Sequence, residues 1–365
     1  MLAYEGTTAR AALLGSALHL HHLVAPALAG FPAALLDSGN VRVLVLGGTV
    51  FLGRHLVEVA LARGDDVTIF TRGRGQAPEG VTSLVGDRDG GLDALRSGTW
   101  DAVVDTSGYV PRVVRQSAEL LQDRIGFYAF ISTISVYPME QEDKSETAPV
   151  LELEDPRTED VGEHYGALKA ASERVLEEIY GSRTLLARSG LIAGPFDPTE
   201  RVTYWAARGL RPGEVLAAGR PERPVCFVDA RDLASWTLDM AARAQGGVYN
   251  VQGPEIAIGH LLEACGIPDA TWVPDQFLLE RDVVPWTGLP LWIPDGMGSL
   301  HAPRDRALAA GLVCRPISHT IRDLQEWVRV RRSPPGVEDS GGRVRPPAGM
   351  PPEQEAELLA AWHSA

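Results

Sequence analysis

Short, almost wholly apolar runs alternate along the chain with longer stretches whose apolar positions recur every three or four residues. Val41-Arg42-Val43-Leu44-Val45-Leu46 is the first such run, the pattern of a central parallel strand buried on both faces. Leu52 to Arg63 follows, with Leu52, Leu56, Val57, Val59 and Leu61 at helical spacing and Gly64 placed to end the helix. Asp66 to Phe70, Val81 to Val85, Ala102 to Asp105 and Phe127 to Ile131 read as further strands. A long helix is expected from Val161 to Tyr180, stopped by Gly181, with Thr184 to Ala187 and Gly247 to Val251 as the last strands. Strands that alternate with helices in this way imply a parallel sheet wrapped on both faces, joined by right-handed crossovers.

Between the first strand and the first helix stands Gly47-Gly48-Thr49-Val50-Phe51-Leu52-Gly53. A helix that starts there aims free backbone N–H groups and its positive dipole end at an anion such as a pyrophosphate. Gly47 permits the tight turn and Gly53 the close approach of helix to strand, but the usual middle glycine is Val50, which implies a displaced dinucleotide or a differently shaped loop. The fold class is therefore α/β, a Rossmann-like doubly wound parallel sheet. An Asp or Glu at the end of the second strand would accept from the adenine ribose of NAD. Thr71-Arg72-Gly73-Arg74 stands there instead, and two guanidinium groups suit a 2′-phosphate. NADP(H) is the expected cofactor and NAD(H) the alternative, unless Arg72 and Arg74 are simply solvated. Asp87 follows the third strand and suits the adenine amino group. Thr106 and Ser107, after Asp105, suit the pyrophosphate side. Each of these could equally cap a helix.

Pro195 to Phe227 and Pro254 to Trp327 are less regular and richer in Pro and Trp. The expected organisation is an extension over 1–40, a dinucleotide-binding core over 41–194 completed by about 228–253, and a smaller C-terminal substrate lobe over 195–227 and 254–330. A Pro/Gly linker and a terminal helix at Pro352 to His363 would occupy 331–365. The extension is rich in Ala and Leu, but His19, His21, His22, Pro26 and Pro32 interrupt it, so no membrane span is expected. Glu5, with no Lys or Arg before Arg10, fits a secretory signal poorly. The His tract reads as solvated, so no metal is expected.

Composition is ordinary for a globular chain, with 45% hydrophobic and 22% charged residues. The net charge of −14 opposes binding to nucleic acid or an anionic membrane. Cys226, Cys265 and Cys314 are widely spaced and odd in number, which suits free thiols in the cytoplasm.

Candidate chemistry lies on the long helix. Tyr165 and Lys169 are four residues apart and project from one helical face. A phenol titrates near 10, too high to exchange protons readily at neutral pH, and a neighbouring ammonium favours its ionised form. Ser132-Thr133-Ile134-Ser135-Val136-Tyr137 ends the fifth strand, where open α/β sheets bind ligands, and supplies hydroxyls to orient a carbonyl. The Tyr/Lys spacing alone is common on surface helices; after the glycine turn and the hydroxyl-rich strand end it gains weight.

Together these residues resemble the extended short-chain dehydrogenase/reductase superfamily, in its NAD-dependent epimerase/dehydratase group, over Val41 to about Leu233. The resemblance implies that Tyr165 is the general acid/base, Lys169 its partner and the ribose contact, and Thr133 the orienting hydroxyl. Arg188-Ser189-Gly190 and Phe227 to Leu233 resemble later segments of the family. The glycine turn looks most like a branch that mixes enzymes with proteins similar to chloroplast stem-loop-binding proteins. Family sugar-nucleotide enzymes carry an Arg where this chain has Val225, with Arg223 two residues earlier. The lobe aromatics, Phe196, Tyr204 and Trp205 among them, and Ser135 are expected at the substrate, which would make it less polar than a sugar nucleotide.

The expected function is an NAD(P)H-dependent reductase for a small carbonyl, imine or alcohol. The alternatives are an epimerase or dehydratase on a sugar nucleotide, and a vestigial dinucleotide-binding or RNA-associated protein. A small-molecule substrate is the expected partner, and the resemblance adds a homodimer.

Overall fold

The computed structural model describes residues 40–331 and 347–365, and the backbone alone of 337–338 and 344–345. The expected extension with its His tract, and most of the linker, lie outside the described residues. Eleven strands fall between residues 42 and 251: β1 (Arg42–Leu46), β2 (Asp66–Thr71), β3 (Thr82–Val85), β4 (Trp100–Asp105), β5 (Ile125–Thr133), β6 (Thr184–Ser189), β7 (Ile192–Ala193), β8 (Val215–Ala218), β9 (Pro224–Cys226), β10 (Val228–Asp229) and β11 (Gly247–Val251). Among them run the helices α1 (Phe51–Ala62), α2 (Pro111–Leu121), α3 (Val161–Tyr180), α4 (Arg201–Arg208) and α5 (Ala230–Ala242).

Seven strands form the main sheet in the order β11-β6-β5-β4-β1-β2-β3, and every pairing within it is parallel. The order reverses between β1 and β4, which places a crevice at the carboxyl ends of those two strands. The apolar run of β1 explains its central place. Val43 and Val45 face one helical layer, with Leu56 of α1 and Leu233 and Trp236 of α5. Leu44 and Leu46 face the other, with Val114 of α2 and Leu176 of α3. Successive strand residues point to opposite faces, so an unbroken apolar run serves both layers. Each fully buried side chain of this kind contributes about 1.5–3 kcal/mol.

A second core is assembled from shorter pieces. β8 pairs in parallel with β13 (Ala270–Val273), after β12 (Glu255–Ala257) pairs antiparallel with β9. Trp205 of α4 and Leu216 of β8 meet Leu261 of α6 (Ile258–Ala264) and Leu278 of α7 (Asp275–Leu279). After α8 (Asp305–Ala309), α9 (Ile317–Val330) adds Ile321 and Leu324, and α10 (Pro352–His363) adds Leu358 and Leu359. The terminal helix is therefore part of this core rather than an appendage. Arg208 of α4 holds it by a buried ion pair to Glu355 at 2.8 Å.

Candidate active site

The glycine turn lies where β1 leaves the sheet. Gly47 and Gly48 have φ of 119° and 101°, a region open to glycine and costly for other residues. A Cβ on Gly53 would lie 2.6 Å from the Gly48 amide nitrogen, so α1 approaches the turn as closely as backbone allows. Val50 is 66% exposed and extended, at φ −126° and ψ 137°. No side chain caps α1 and its first turn holds no acid, whereas α3 is capped by Asp160, which accepts from Gly162 and Glu163. The first N–H groups of α1 are thus available to an anion. The residues present fit a dinucleotide pyrophosphate.

Thr106 and Ser107, at the end of β4, each donate a hydroxyl to the Leu46 carbonyl at 3.1 Å, so the structure brings them beside the glycine turn. Thr49 packs near Gly75. At the end of β2 the Thr71 hydroxyl accepts from the Gly73 amide, and Arg72 and Arg74 stand exposed beyond it. Asp87 is exposed after β3 and accepts from the Asp89 amide at 3.0 Å. Phe51 opens α1 at φ 38° and Leu52 is buried against the sheet.

The catalytic candidates come from α3 and the end of β5. Lys169 is 3% exposed, and its ammonium donates to Gly108 O at 2.8 Å and Ile131 O at 2.7 Å. It also lies 3.8 Å from the centre of the Phe130 ring. Burial lowers its pKa to about 7, against the opposing pull of Asp105 and Glu173. Tyr165 keeps 36% of its surface open. Its phenol is pushed above the ordinary value by burial and by Tyr109, while a hydrogen bond with Thr133 acts to lower it. Thr133 in turn donates to the Ser135 hydroxyl at 3.2 Å and accepts from the Ser135 amide at 3.1 Å. The helix passes so close to this strand end that a Cβ on Gly166 would collide with Ser135 O. The structure therefore brings Thr133, Ser135, Tyr165 and Lys169 together.

Tyr109 completes the group and was not among the sequence candidates. It is 46% exposed, its ring centre 6.4 Å from that of Tyr165 and 5.6 Å from the Lys169 ammonium. Its place just after Thr106-Ser107-Gly108 at a strand end was the available signal. Behind the pair lies a buried polar chain also missed from sequence. Glu173 accepts from Ser132 at 2.5 Å and from Arg188 at 2.7 Å; Arg188 donates to Tyr137, which donates to Asn250. It fixes the inner end of the α3 face that carries Tyr165 and Lys169, because each buried polar group finds a partner.

The lobe aromatics require a correction. Trp205 is buried in the second core and donates to Pro290 O at 2.9 Å. Tyr204 packs edge-on against it, 5.0 Å between ring centres. Trp205 is core, not substrate wall, because it shares the buried face of the short helix α4 with Val202 and Ala206, and half-buried Tyr204 packs against that core. Phe196 lies between the Arg54 guanidinium at 4.0 Å and the Trp327 ring at 4.2 Å, which occupies its ring with α1 and α9. Arg223, by contrast, is buried in the lobe with one nitrogen on Asp275 at 2.7 Å. Its Nε and Nη1 have no partner among the described residues.

Among the described residues no group of three or more His, Cys, Asp or Glu could hold a metal. None of their helices is long and apolar enough to cross a membrane. Cys226, Cys265 and Cys314 are unpaired, and burial pushes the thiols of Cys226 and Cys265 up to about 12.

Residues 43–251 match the NAD dependent epimerase/dehydratase family, more than half of the chain. The chain is 26% identical to the chloroplast stem-loop binding protein of 41 kDa b from Arabidopsis thaliana over 253 residues, 62% of this chain and 63% of that protein. It thus spans less than two thirds of that relative's length. Its fold is similar to that of an epimerase from Methanothermobacter thermautotrophicus, with a TM-score of 0.60 and 16% identity over 81% of this chain and 94% of the other. The UDP-glucose 4-epimerase of Thermus thermophilus, solved in complex with NAD, has a TM-score of 0.57 and 22% identity over 79% and 99%. With that match over more than half of its length, the chain belongs to the NAD-dependent epimerase/dehydratase family.

Proposed function

We propose that this enzyme epimerises or dehydrates a nucleotide-linked sugar, through reversible oxidation of one of its hydroxyl-bearing carbons. The observation that carries the reading is the convergence of Tyr165, Lys169 and Thr133 beside an uncapped glycine-turn helix. A nicotinamide dinucleotide, held by Gly47 to Gly53 and by Thr106, Ser107 and Lys169, supplies the acceptor and donor of hydride. Thr133 orients the substrate oxygen. Tyr165 takes its proton as carbon–hydrogen cleavage makes a carbonyl, and returns it when the carbonyl is reduced. Lys169, titrating at about 7, is placed to supply positive charge to the phenolate.

Two observations favour the sugar nucleotide over the small-molecule reductase expected from sequence alone. The family match is one. The other is Arg223, whose Nε and Nη1 are buried without a partner among the described residues; an unpaired buried donor is costly, and a diphosphate would supply the missing acceptor. With Trp205 in the core and Tyr204 packed against it, helix α4 no longer speaks for a less polar substrate. NADP remains the proposed dinucleotide, because Arg72 and Arg74 follow β2 with no carboxylate between them. The free thiols fit a cytoplasmic enzyme. A stem-loop-binding role, in the manner of the Arabidopsis relative's name, is opposed by the net charge of −14.

The test is to assay purified protein for co-purifying dinucleotide and to incubate it with UDP-hexoses, following products by chromatography. Interconversion without net consumption of NADPH is expected. Stoichiometric NADPH oxidation with simple ketones, and none of that interconversion, would restore the reductase reading.

A further inference from the structure

The loop after β3 sends Arg88 beneath the site. Its Nη1 donates to Asp105 Oδ1 at 2.7 Å and to the Ser107 hydroxyl at 3.3 Å, and its Nη2 donates to Ser117 of α2 at 2.7 Å. Asp105 is wholly buried; its Oδ1 also accepts from the Ser107 amide at 2.9 Å and its Oδ2 from the Tyr128 hydroxyl at 2.8 Å. The turn 105–108 is thereby pinned from below. Its Thr106 and Ser107 hydroxyls bond Leu46 O, at the root of the glycine turn. At its other end Gly108 O receives the Lys169 ammonium. Gly108 has no slack, since a Cβ there would lie 2.6 Å from Phe130 and 2.8 Å from Asp105 Oδ2. One buried turn therefore touches both the phosphate cradle and the catalytic lysine.

A buried ion pair gives weak net stabilisation, because desolvation offsets attraction. Its placement under this turn gives it a different use. We propose that Arg88 is a positioning residue that, through Asp105, sets the 105–108 turn and so couples the charge of Lys169 to dinucleotide binding. The inference rests on the dinucleotide-dependent reading above. The charged and titratable groups facing Lys169 are Asp105 from β4, Arg88 from the loop after β3, Tyr109 from the turn after β4, and Tyr165 and Glu173 on its own helix. Asp105 and Glu173 favour the ammonium and Arg88 opposes it. Removal of the guanidinium takes away the opposing charge and leaves Asp105 without its cation. Both changes raise the pH at which Lys169 loses its proton.

The experiment titrates the full chain with NADH from pH 5.5 to 9.5, a probe without the 2′-phosphate that titrates near neutrality. Arg88→Met, Arg88→Lys and Tyr128→Phe are compared with wild type, and melting temperature is recorded for each. Affinity falls as pH rises through the Lys169 midpoint, as the neutral amine is a poorer donor to the ribose. In Arg88→Met the midpoint moves up by about one unit, and below both midpoints, where Lys169 is charged in either protein, NADH binds at least about tenfold more weakly. Arg88→Lys restores the midpoint but not all the affinity, for an ammonium cannot fork to Asp105 and Ser117 together. Tyr128→Phe shifts the midpoint in the same direction by less. A merely structural role lowers the melting temperature and leaves the midpoint in place.

Folded variants with the wild-type midpoint overturn the inference. Should Arg88→Met not fold, Tyr128→Phe decides alone, and an unmoved midpoint there overturns it equally. Wild-type protein that binds neither NADH nor NADPH overturns the functional reading itself, and this inference with it.

Discussion

The sheet and the lobe hold themselves together by different means. In the sheet, β1 lies between β2 and β4, and its four buried residues divide themselves between two helical layers. Its site groups come from turns at strand ends, and much of what they offer is backbone: the N–H groups of α1, Gly108 O, Ile131 O. The lobe has no such regular layer. Short helices and two-stranded pairs are tied by buried ions far apart in sequence, Arg208 to Glu355 and Arg231 to Asp323. Loss of one partner of such a pair strands the other charge in a poor solvent. The sheet carries buried pairs too, Arg88 to Asp105 and Arg188 to Glu173, but they lie under the site and not between its layers.

That comparison can be tested, first at the chemistry that the sheet supports. Tyr165→Phe should lower turnover by roughly 10³, within the range for loss of a positioned acid/base, while NADH affinity measured by fluorescence stays near wild type. Turnover close to wild type would remove the phenol from the reaction. Next comes the lobe. Glu355→Ala should cost about 3–5 kcal/mol, read by urea denaturation, since it strands Arg208 and also removes the acceptor of the Leu216 amide. Loss of the exposed Arg42–Asp101 pair on β1 should leave stability unchanged. An equal loss at both places would erase the distinction drawn between the regions.

A smaller effect is expected at the cofactor rim. Arg72→Ala should reduce the preference for NADPH over NADH by about tenfold, the worth of one charge-assisted contact, as read by parallel titrations. An unchanged ratio would assign Arg72 to solvent. A separate prediction concerns pH. Lys169 titrates at about 7 in the fold against 10.5 when free, so between these values the unfolded chain holds a proton that the folded chain has released. Stability therefore rises with pH across that window, and Lys169→Met should flatten the rise in denaturation series at pH 7 and pH 9.

Much of the sheet could be read directly. The helix Val161–Tyr180, stopped by Gly181, and the terminal helix Pro352–His363 match the expected bounds, because apolar period and helix ends are local signals. The strands run longer than expected at β5 and β6, since their polar ends, Ser132, Thr133, Arg188 and Ser189, are buried under the site rather than marked by apolar residues; β4 starts two residues earlier, at Trp100.

Tyr165 and Lys169 were legible as a pair because four residues bring two side chains to one helical face wherever that helix lies. Glycines between a strand and a helix declared the anion cradle for the same reason: the chemistry is in the local backbone. What sequence alone determined is thus the alternating architecture, the glycine turn and the spacing of the catalytic candidates. Only the tertiary structure decided that Arg88 lies beneath Lys169, that Tyr109 stands beside Tyr165, and that Trp205 fills a core instead of a cleft. It also joined Arg208 to Glu355 across 147 positions. Periodicity says that a residue has an inner and an outer face to choose from, but which surfaces meet is settled by packing between distant segments, and no local pattern records that partner.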